Sequence, residues 1–282
     1  MTIAQIAVIG AGTMGNGIAQ ACAGAGKQVV MIDVAGAAVA RGLTTIAGSL
    51  DRLVKKEKMT ETQKEGILAL VKGSTNYADI AGADLVIEAA TENLPLKLRI
   101  IKQVEENVGE HTVIATNTSS ISITQMAATL NHPTRFIGMH FFNPVPMMAL
   151  VELISGLQTS DQTHARVREF ALSLGKSPIT VKNRPGFVVN RILCPMINEA
   201  VSVLEEGIAT AEDIDVGMKL GCNHPLGPLA LADLIGLDTL LSIMEVLYEG
   251  FNDPRYRPAP MLKEMVAAGY LGRKSGRGFY HY

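Results

Sequence analysis

The 282-residue sequence is poor in cysteine, in charge and in long apolar runs, and each shortage excludes a class of protein. Its three cysteines, Cys22, Cys194 and Cys222, are widely separated and odd in number, so they build neither a disulfide framework nor a CxxC metal pair. A reducing compartment is the simpler reading, and a cytoplasmic location is expected. No uninterrupted stretch approaches the roughly 18 apolar residues that cross a bilayer. Even the most apolar segment, Pro225 to Leu247, carries Asp233, Asp238 and Glu245. The opening residues lack a basic segment, an apolar core and a small-residue cleavage site, so no secretory signal is expected. A formal net charge of −2 offers no basic footprint to nucleic acid. Charged residues make up only 18% of the chain, below the usual quarter, which leaves much of the surface neutral or covered by a partner. His111, His132, His164, His224 and His281 stand at no metal-ligand spacing, and no GxSxG motif occurs. Neither a metal centre nor a covalent nucleophile is expected.

What the sequence does have is apolar material. Hydrophobic residues are 48% of the chain, ample to offset the entropy of folding, and the length suits two ordinary domains. Ile3 to Ile9 is a short Ile/Val-rich run, as a buried parallel strand would be. Gly10-Ala11-Gly12-Thr13-Met14-Gly15 follows at once, then an Ala-rich helix over Asn16 to Ala25, then a second apolar strand, Val29 to Asp33. That order is one βαβ unit. Residues 34–71 predict two amphipathic helices broken near Lys58-Met59-Thr60, with Thr60 as an N-cap. Further strands are expected at 84–88, 112–116, 136–140, 149–154 and 179–181, with a helix over Pro95 to Asn107. Beyond Asn183 to Gly186 only helical patterns remain, over 187–205, 211–220, 229–248 and 259–268. The expectation is an α/β domain over 1–183 followed by an all-α domain over 184–282.

A bare GxGxxG is weak, but here a strand precedes it and a helix follows. Gly10 permits the tight turn, Gly12 lets backbone approach a pyrophosphate, and Gly15 lets the helix pack on the strand. The helix N-terminus presents N–H groups to the phosphates. Asp33 ends the next strand, about 20 residues beyond the glycines, where a carboxylate accepts from an adenosine ribose and repels a 2′-phosphate. NAD is therefore favoured over NADP. His140 ends an apolar strand and is followed by Phe141-Phe142-Asn143-Pro144-Val145-Pro146. The midpoint between His140 and Glu152 falls in this proline-rich turn. If the flanking strands form a hairpin, the two side chains face each other at about 5 Å between β-carbons. A carboxylate on one imidazole nitrogen fixes the tautomer and leaves the other to act as general base. Ser119 and Ser120 lie just past a strand, either at the ligand crevice or as helix caps. Asn190, in an apolar helix start, is either a satisfied buried amide or a substrate contact.

These motifs together resemble the L-3-hydroxyacyl-CoA dehydrogenase family. The resemblance runs from Ile3 to Tyr280 and rests on the glycine turn, Asn117-Thr118-Ser119-Ser120, Gly138 to Pro144, Pro185 to Arg191, and Lys274 to Tyr280. It implies a Rossmann-like N-terminal domain with an inserted helical pair, and a helical C-terminal domain that carries substrate contacts and forms a homodimer. It implies reversible NAD-linked oxidation of a 3-hydroxyacyl-CoA, and the chain length points to the short-chain substrate (S)-3-hydroxybutyryl-CoA, giving acetoacetyl-CoA. On matching positions His140 is the general base and Glu152 its partner. Ser119 and Asn190 hold the substrate near its reacting oxygen, and Asn143 supports the histidine. Gly10, Gly12, Thr13, Met14, Gly15, Asp33, Glu92, Lys97 and Asn117 hold NAD, with Glu92, Lys97 and Asn117 near the nicotinamide and its ribose. Ser49, Arg52 and Lys56, three and four residues apart, border the CoA path on this resemblance, although charge alone favours a solvated helix face. Two other functions use the same fold: oxidation of small hydroxy acids such as sugar acids, and NAD binding without catalysis. The second has no need of an intact His140–Glu152 pair.

Overall fold

The structure, a computed structural model, describes residues 3–282. The chain divides into two compact units, Met1–Asn183 and Arg184–Tyr282, each with its own hydrophobic core.

The first unit is built on an eight-stranded sheet. Strand β1 (Gln5–Ile9) runs into helix α1 (Thr13–Gly24) and strand β2 (Gln28–Ile32). Helices α2 (Gly36–Lys55) and α3 (Glu61–Ala69) follow, then strands β3 (Val71–Ser74) and β4 (Leu85–Glu88). Helix α4 (Leu94–Asn107), strand β5 (Val113–Thr116), the short helix α5 (Ile123–Ala127) and strand β6 (Phe136–Phe141) come next. Strand β7 (Leu150–Ser155), helix α6 (Asp161–Ser173) and strand β8 (Ser177–Lys182) complete it. The spatial order is β3-β2-β1-β4-β5-β6-β7-β8. Strands β1 to β6 are parallel, β7 is antiparallel to β6, and β8 is parallel to β7. Strands β4, β5 and β6 are buried along their whole length, which is why they read as unbroken apolar runs rather than alternating ones. The strand order reverses between β1 and β4. A crevice at the carboxyl ends of these strands is the place where such sheets bind ligands.

The helical pair α2–α3 breaks where the sequence predicts. Thr60 Oγ1 accepts from Gln63 N (3.2 Å) while Gln63 Oε1 accepts from Thr60 N (2.9 Å), a reciprocal cap at the start of α3. Two elements escape the sequence reading. Strand β3 is a four-residue edge strand of which only Val71 is buried, so Val-Lys-Gly-Ser carries almost no strand pattern. Helix α6 is capped by Ser160, whose Oγ accepts from Thr163 N at 3.1 Å.

The second unit contains helices α7 (Val189–Glu205), α8 (Ala211–Gly221), α9 (Pro228–Ile235), α10 (Leu237–Phe251) and α11 (Pro260–Ala267). The single helix expected over 229–248 is in fact two. Gly236 sits at φ +100°, outside the helical region, and serves at once as the end of α9 and the start of α10. Buried Asp215 of α8 accepts from Leu229 N and Ala230 N at 2.8 and 2.9 Å, capping the first turn of α9 from a neighbouring helix. Buried Asp233 accepts from Phe279 N and Tyr280 N (3.0 and 2.9 Å), which pins the chain's last residues onto the same core. Among the described residues no helix is long and apolar enough to cross a membrane.

Candidate active site

The glycine turn closes the carboxyl end of β1. Gly10 has φ +102°, and a β-carbon there would collide with the backbone of Ala89. A β-carbon on Gly15 would run into the Gly10 carbonyl, so α1 packs this closely only because the residue is glycine. Around Gly12, by contrast, a β-carbon would meet no protein atom within 4 Å. Gly12 is the N-cap of α1 and offers no side-chain cap, which leaves the first N–H groups of the helix without a capping side chain. Room beside uncapped helix amides fits a pyrophosphate. Asp33, just past β2, folds back on the same turn. Its Oδ2 accepts from Ala11 N at 2.9 Å and its Oδ1 from Ala35 N at 3.4 Å. One carboxylate thus joins the turn to the end of β2, where a ribose would lie.

Next along the crevice, two carboxylates tie the end of β4 to the end of β5. Glu88, fully buried, accepts from Lys97 Nζ, from Thr116 Oγ1 (2.7 Å) and from Ala90 N (2.9 Å). Lys97, on the first turn of α4, is 1% exposed, so its charge is spent inside the protein on Glu88. Such a pair holds geometry more than it adds stability, because both ions have left water. Exposed Glu92 accepts from Thr118 Oγ1 at 2.7 Å and from Ser119 N at 2.8 Å. Asn117 is buried beside them, its Oδ1 accepting from Phe141 N at 2.9 Å, which locks the end of β5 to the end of β6. The cap of α5 is Ser122, whose Oγ accepts from Gln125 N, so helix capping does not occupy Ser119 or Ser120.

The register of β6 on β7 sets His140 opposite Glu152, and His140 Nδ1 lies 2.7 Å from Glu152 Oε2. Glu152 is fully buried and His140 is 7% exposed, with the Phe142 ring 4.5 Å from the imidazole between centroids. The carboxylate accepts, so Nδ1 carries the hydrogen of this bond and the ring is held in one tautomer and one orientation. The hairpin turn is secured from below by Lys176, which is buried and donates to the carbonyls of Val145 (2.6 Å) and Met148 (2.8 Å). Burial pushes the Lys176 ammonium below the usual lysine range. Asn143 precedes a cis peptide to Pro144 and is exposed at the start of the turn.

The spacing of residues does not single out Glu88, Thr116, Thr118 or Lys176; for Glu88 alone, a carboxylate closing an apolar strand is a usable signal. Asn190 lies in the second unit, half-buried in the first turn of α7. Arg52 is exposed and Ser49 half-buried on the last turns of α2, and exposed Lys56 is its C-cap. Among the described residues no three His, Cys, Asp or Glu side chains cluster as a metal ion requires.

Comparison with known proteins gives consistent matches over the whole length. The family model for the 3-hydroxyacyl-CoA dehydrogenase NAD-binding domain matches residues 5–184, and that for the C-terminal domain of the same enzymes matches residues 186–282. A probable 3-hydroxybutyryl-CoA dehydrogenase of Bacillus subtilis is 51% identical over 282 residues, covering 100% of this chain and 98% of the relative. A 3-hydroxybutyryl-CoA dehydrogenase of Clostridioides difficile is 50% identical over 278 residues, covering 99% of each. The crystal structure of (S)-3-hydroxybutyryl-CoA dehydrogenase from Ralstonia eutropha superposes with a TM-score of 0.97 at 66% identity, covering 100% of this chain and 99% of that one.

Proposed function

The chain belongs to the 3-hydroxyacyl-CoA dehydrogenase family, and on that premise we propose that it catalyses the reversible NAD-dependent oxidation of (S)-3-hydroxybutyryl-CoA to acetoacetyl-CoA. The observation that carries this reading is the buried His140–Glu152 pair, set on adjacent strands of the sheet whose glycine turn fits a dinucleotide. NAD, when bound, supplies the hydride acceptor. Gly10, Gly12, Gly15 and the amides at Thr13 and Met14 receive its phosphates, and Asp33 its adenosine ribose. His140 takes the hydroxyl proton of the substrate at Nε2, and Glu152 stabilises the charge the ring then carries. Ser119 holds the substrate oxygen, while Asn117 fixes the strand end that bears the histidine. Ser49, Arg52 and Lys56 give the CoA phosphates a local positive surface on a chain whose net charge is −2.

The intact pair favours catalysis over a purely structural NAD-binding role, and the relatives' substrates favour an acyl-CoA over a sugar acid. The family resemblance also supports a homodimer through the C-terminal domain. A cytoplasmic place in short-chain fatty-acid metabolism completes the reading, supported by three unpaired cysteines. The test is direct. Purified protein with NADH and acetoacetyl-CoA should consume NADH, followed by its near-ultraviolet absorbance, and should do so far less well with NADPH. No consumption with this pair, but turnover of a small hydroxy acid with NAD, would replace the substrate.

A further inference from the structure

Lys176 commits only part of its ammonium to the β6–β7 turn. Two of its three N–H donors go to the carbonyls of Val145 and Met148, and among the described residues the third meets no acceptor. Nor does any carboxylate of the described residues pair with it, although Lys176 is only 8% exposed. A buried cation without a counter-ion is unfavourable. Gln20, on α1, repeats the pattern: it is 6% exposed, and among the described residues its side-chain amide has no hydrogen-bond partner. Buried amides are normally satisfied. Both side chains line one cavity of about 190 Å³ within the first unit, and its other walls are apolar, among them Leu50 and Leu53 of α2, Ile67 of α3 and Leu174 at the end of α6. Apolar walls with a few polar groups are the make-up of a small-molecule site. An ammonium and an amide supply donors and positive charge, which suits the two oxygens of a carboxylate. The volume equals that of about six water molecules at ~30 Å³ each, as many as the non-hydrogen atoms of a four-carbon carboxylate. Phosphate would leave the apolar walls without a partner, and an amine would meet like charge. We propose that this cavity binds a short-chain carboxylate, with its headgroup on Lys176 and Gln20 and its alkyl chain against the α2–α3 pair. None of the residues assigned to NAD, to CoA or to the reacting carbon lines it, so the site stands apart from the reaction crevice. It is linked to that crevice all the same, because the ammonium that gains a counter-ion is the one that secures the turn after His140.

Butyrate is the probe that tests this. Added at constant ionic strength to the whole chain free of NAD and CoA, it should raise the thermal unfolding midpoint, because a ligand that binds only the native state stabilises it. Equilibrium dialysis should find one saturable site per chain with Kd of about 1–10 mM, the range open to so few atoms. Chloride and butylamine at matching concentrations should do neither. Gln20→Glu keeps the size of the amide but opposes an anion, and it should weaken binding at least about ten-fold. Gln20→Leu removes the hydrogen-bonding group alone and should weaken it about three- to five-fold. Neither substitution touches a residue that handles NAD or substrate, so reduction of acetoacetyl-CoA should stay near the wild-type rate. Lys176→Met should abolish butyrate binding, and the two Gln20 variants carry the test if it does not fold. Wild-type protein with no saturable butyrate site would overturn the proposal. So would an undiminished affinity in Gln20→Glu, and displacement by acetoacetyl-CoA would then place the butyrate in the reaction crevice.

Discussion

Among the residues of the crevice, His140 is the one whose surroundings leave least freedom. Its Nδ1 is engaged by a carboxylate with no exposure, its ring rests against Phe142, and its strand is fastened to β5 by Asn117. A general base held this firmly loses little entropy on meeting the substrate, which is how orientation lowers a barrier. His140→Gln should lower kcat by roughly 10²–10⁴, the span of a positioned general base, with KM for NADH unchanged. Glu152→Gln keeps an acceptor oxygen but loses the charge that stabilises the imidazolium, and a roughly ten-fold fall in kcat, about 1.4 kcal/mol, is expected. Steady-state kinetics on folded variants decide both, and near-normal turnover of His140→Gln would end the proposed mechanism. At this scale the sequence was legible where residue spacing reflects strand geometry. Counting to the midpoint of a proline-rich turn places residues 140 and 152 opposite each other because antiparallel pairing is symmetric about its turn. It was not legible for Glu88 and Lys97, whose pairing depends on how α4 returns over the end of β4.

At the scale of elements, the hairpin and the inserted helices each depend on a lysine, used in opposite ways. Lys176 is buried and saturates two carbonyls of the β6–β7 turn. Lys176→Met removes the donor and leaves both acceptors in apolar surroundings, a cost of about 1–3 kcal/mol readable in urea unfolding. The folded pKa lies below the usual lysine value because burial disfavours the charged form. Between the two values the unfolded chain holds a proton the native state has shed, so stability rises with pH across that window and is lost as pH falls through the folded value. The rise should be missing from Lys176→Met. Lys56, by contrast, is exposed at the end of α2. Exposed charges contribute up to about 1 kcal/mol, so Lys56→Ala or Arg52→Ala should raise KM for acetoacetyl-CoA about three- to five-fold, with kcat unchanged. The effect should shrink at high salt, and a wild-type KM at low salt would return this face to plain solvation. Elements with a strong pattern, such as β1, α1 and the α2–α3 pair, were legible in the sequence; β3 and the α9–α10 break were not. An edge strand with one buried residue shows no alternation, and helical spacing runs straight through a glycine whose φ alone reveals the break.

At the scale of the whole molecule, the two hydrophobic cores each contain one cysteine that the proposed chemistry does not use. Cys22 lies on α1 in the core of the first unit, and Cys194 lies on α7 in the core of the second. Each is nearly inaccessible, at 0% and 1% exposure, and burial pushes both thiols up to about 12 because the thiolate would be stranded among apolar groups. A thiol that must be deprotonated to react, and cannot be reached, is doubly protected. Cys222, past the end of α8, is exposed. Ellman's reagent near neutral pH should therefore modify at most one thiol per native chain, and peptide mapping should place it at Cys222. In denaturant all three should react. Because each buried thiol reports its own core, pulse labelling along a urea gradient also shows whether the α/β and all-α units open together or apart. Rapid labelling of Cys22 or Cys194 in the native protein would mean that the corresponding core opens locally at a free energy far below that of global unfolding. The packing described for that unit would then be too tight.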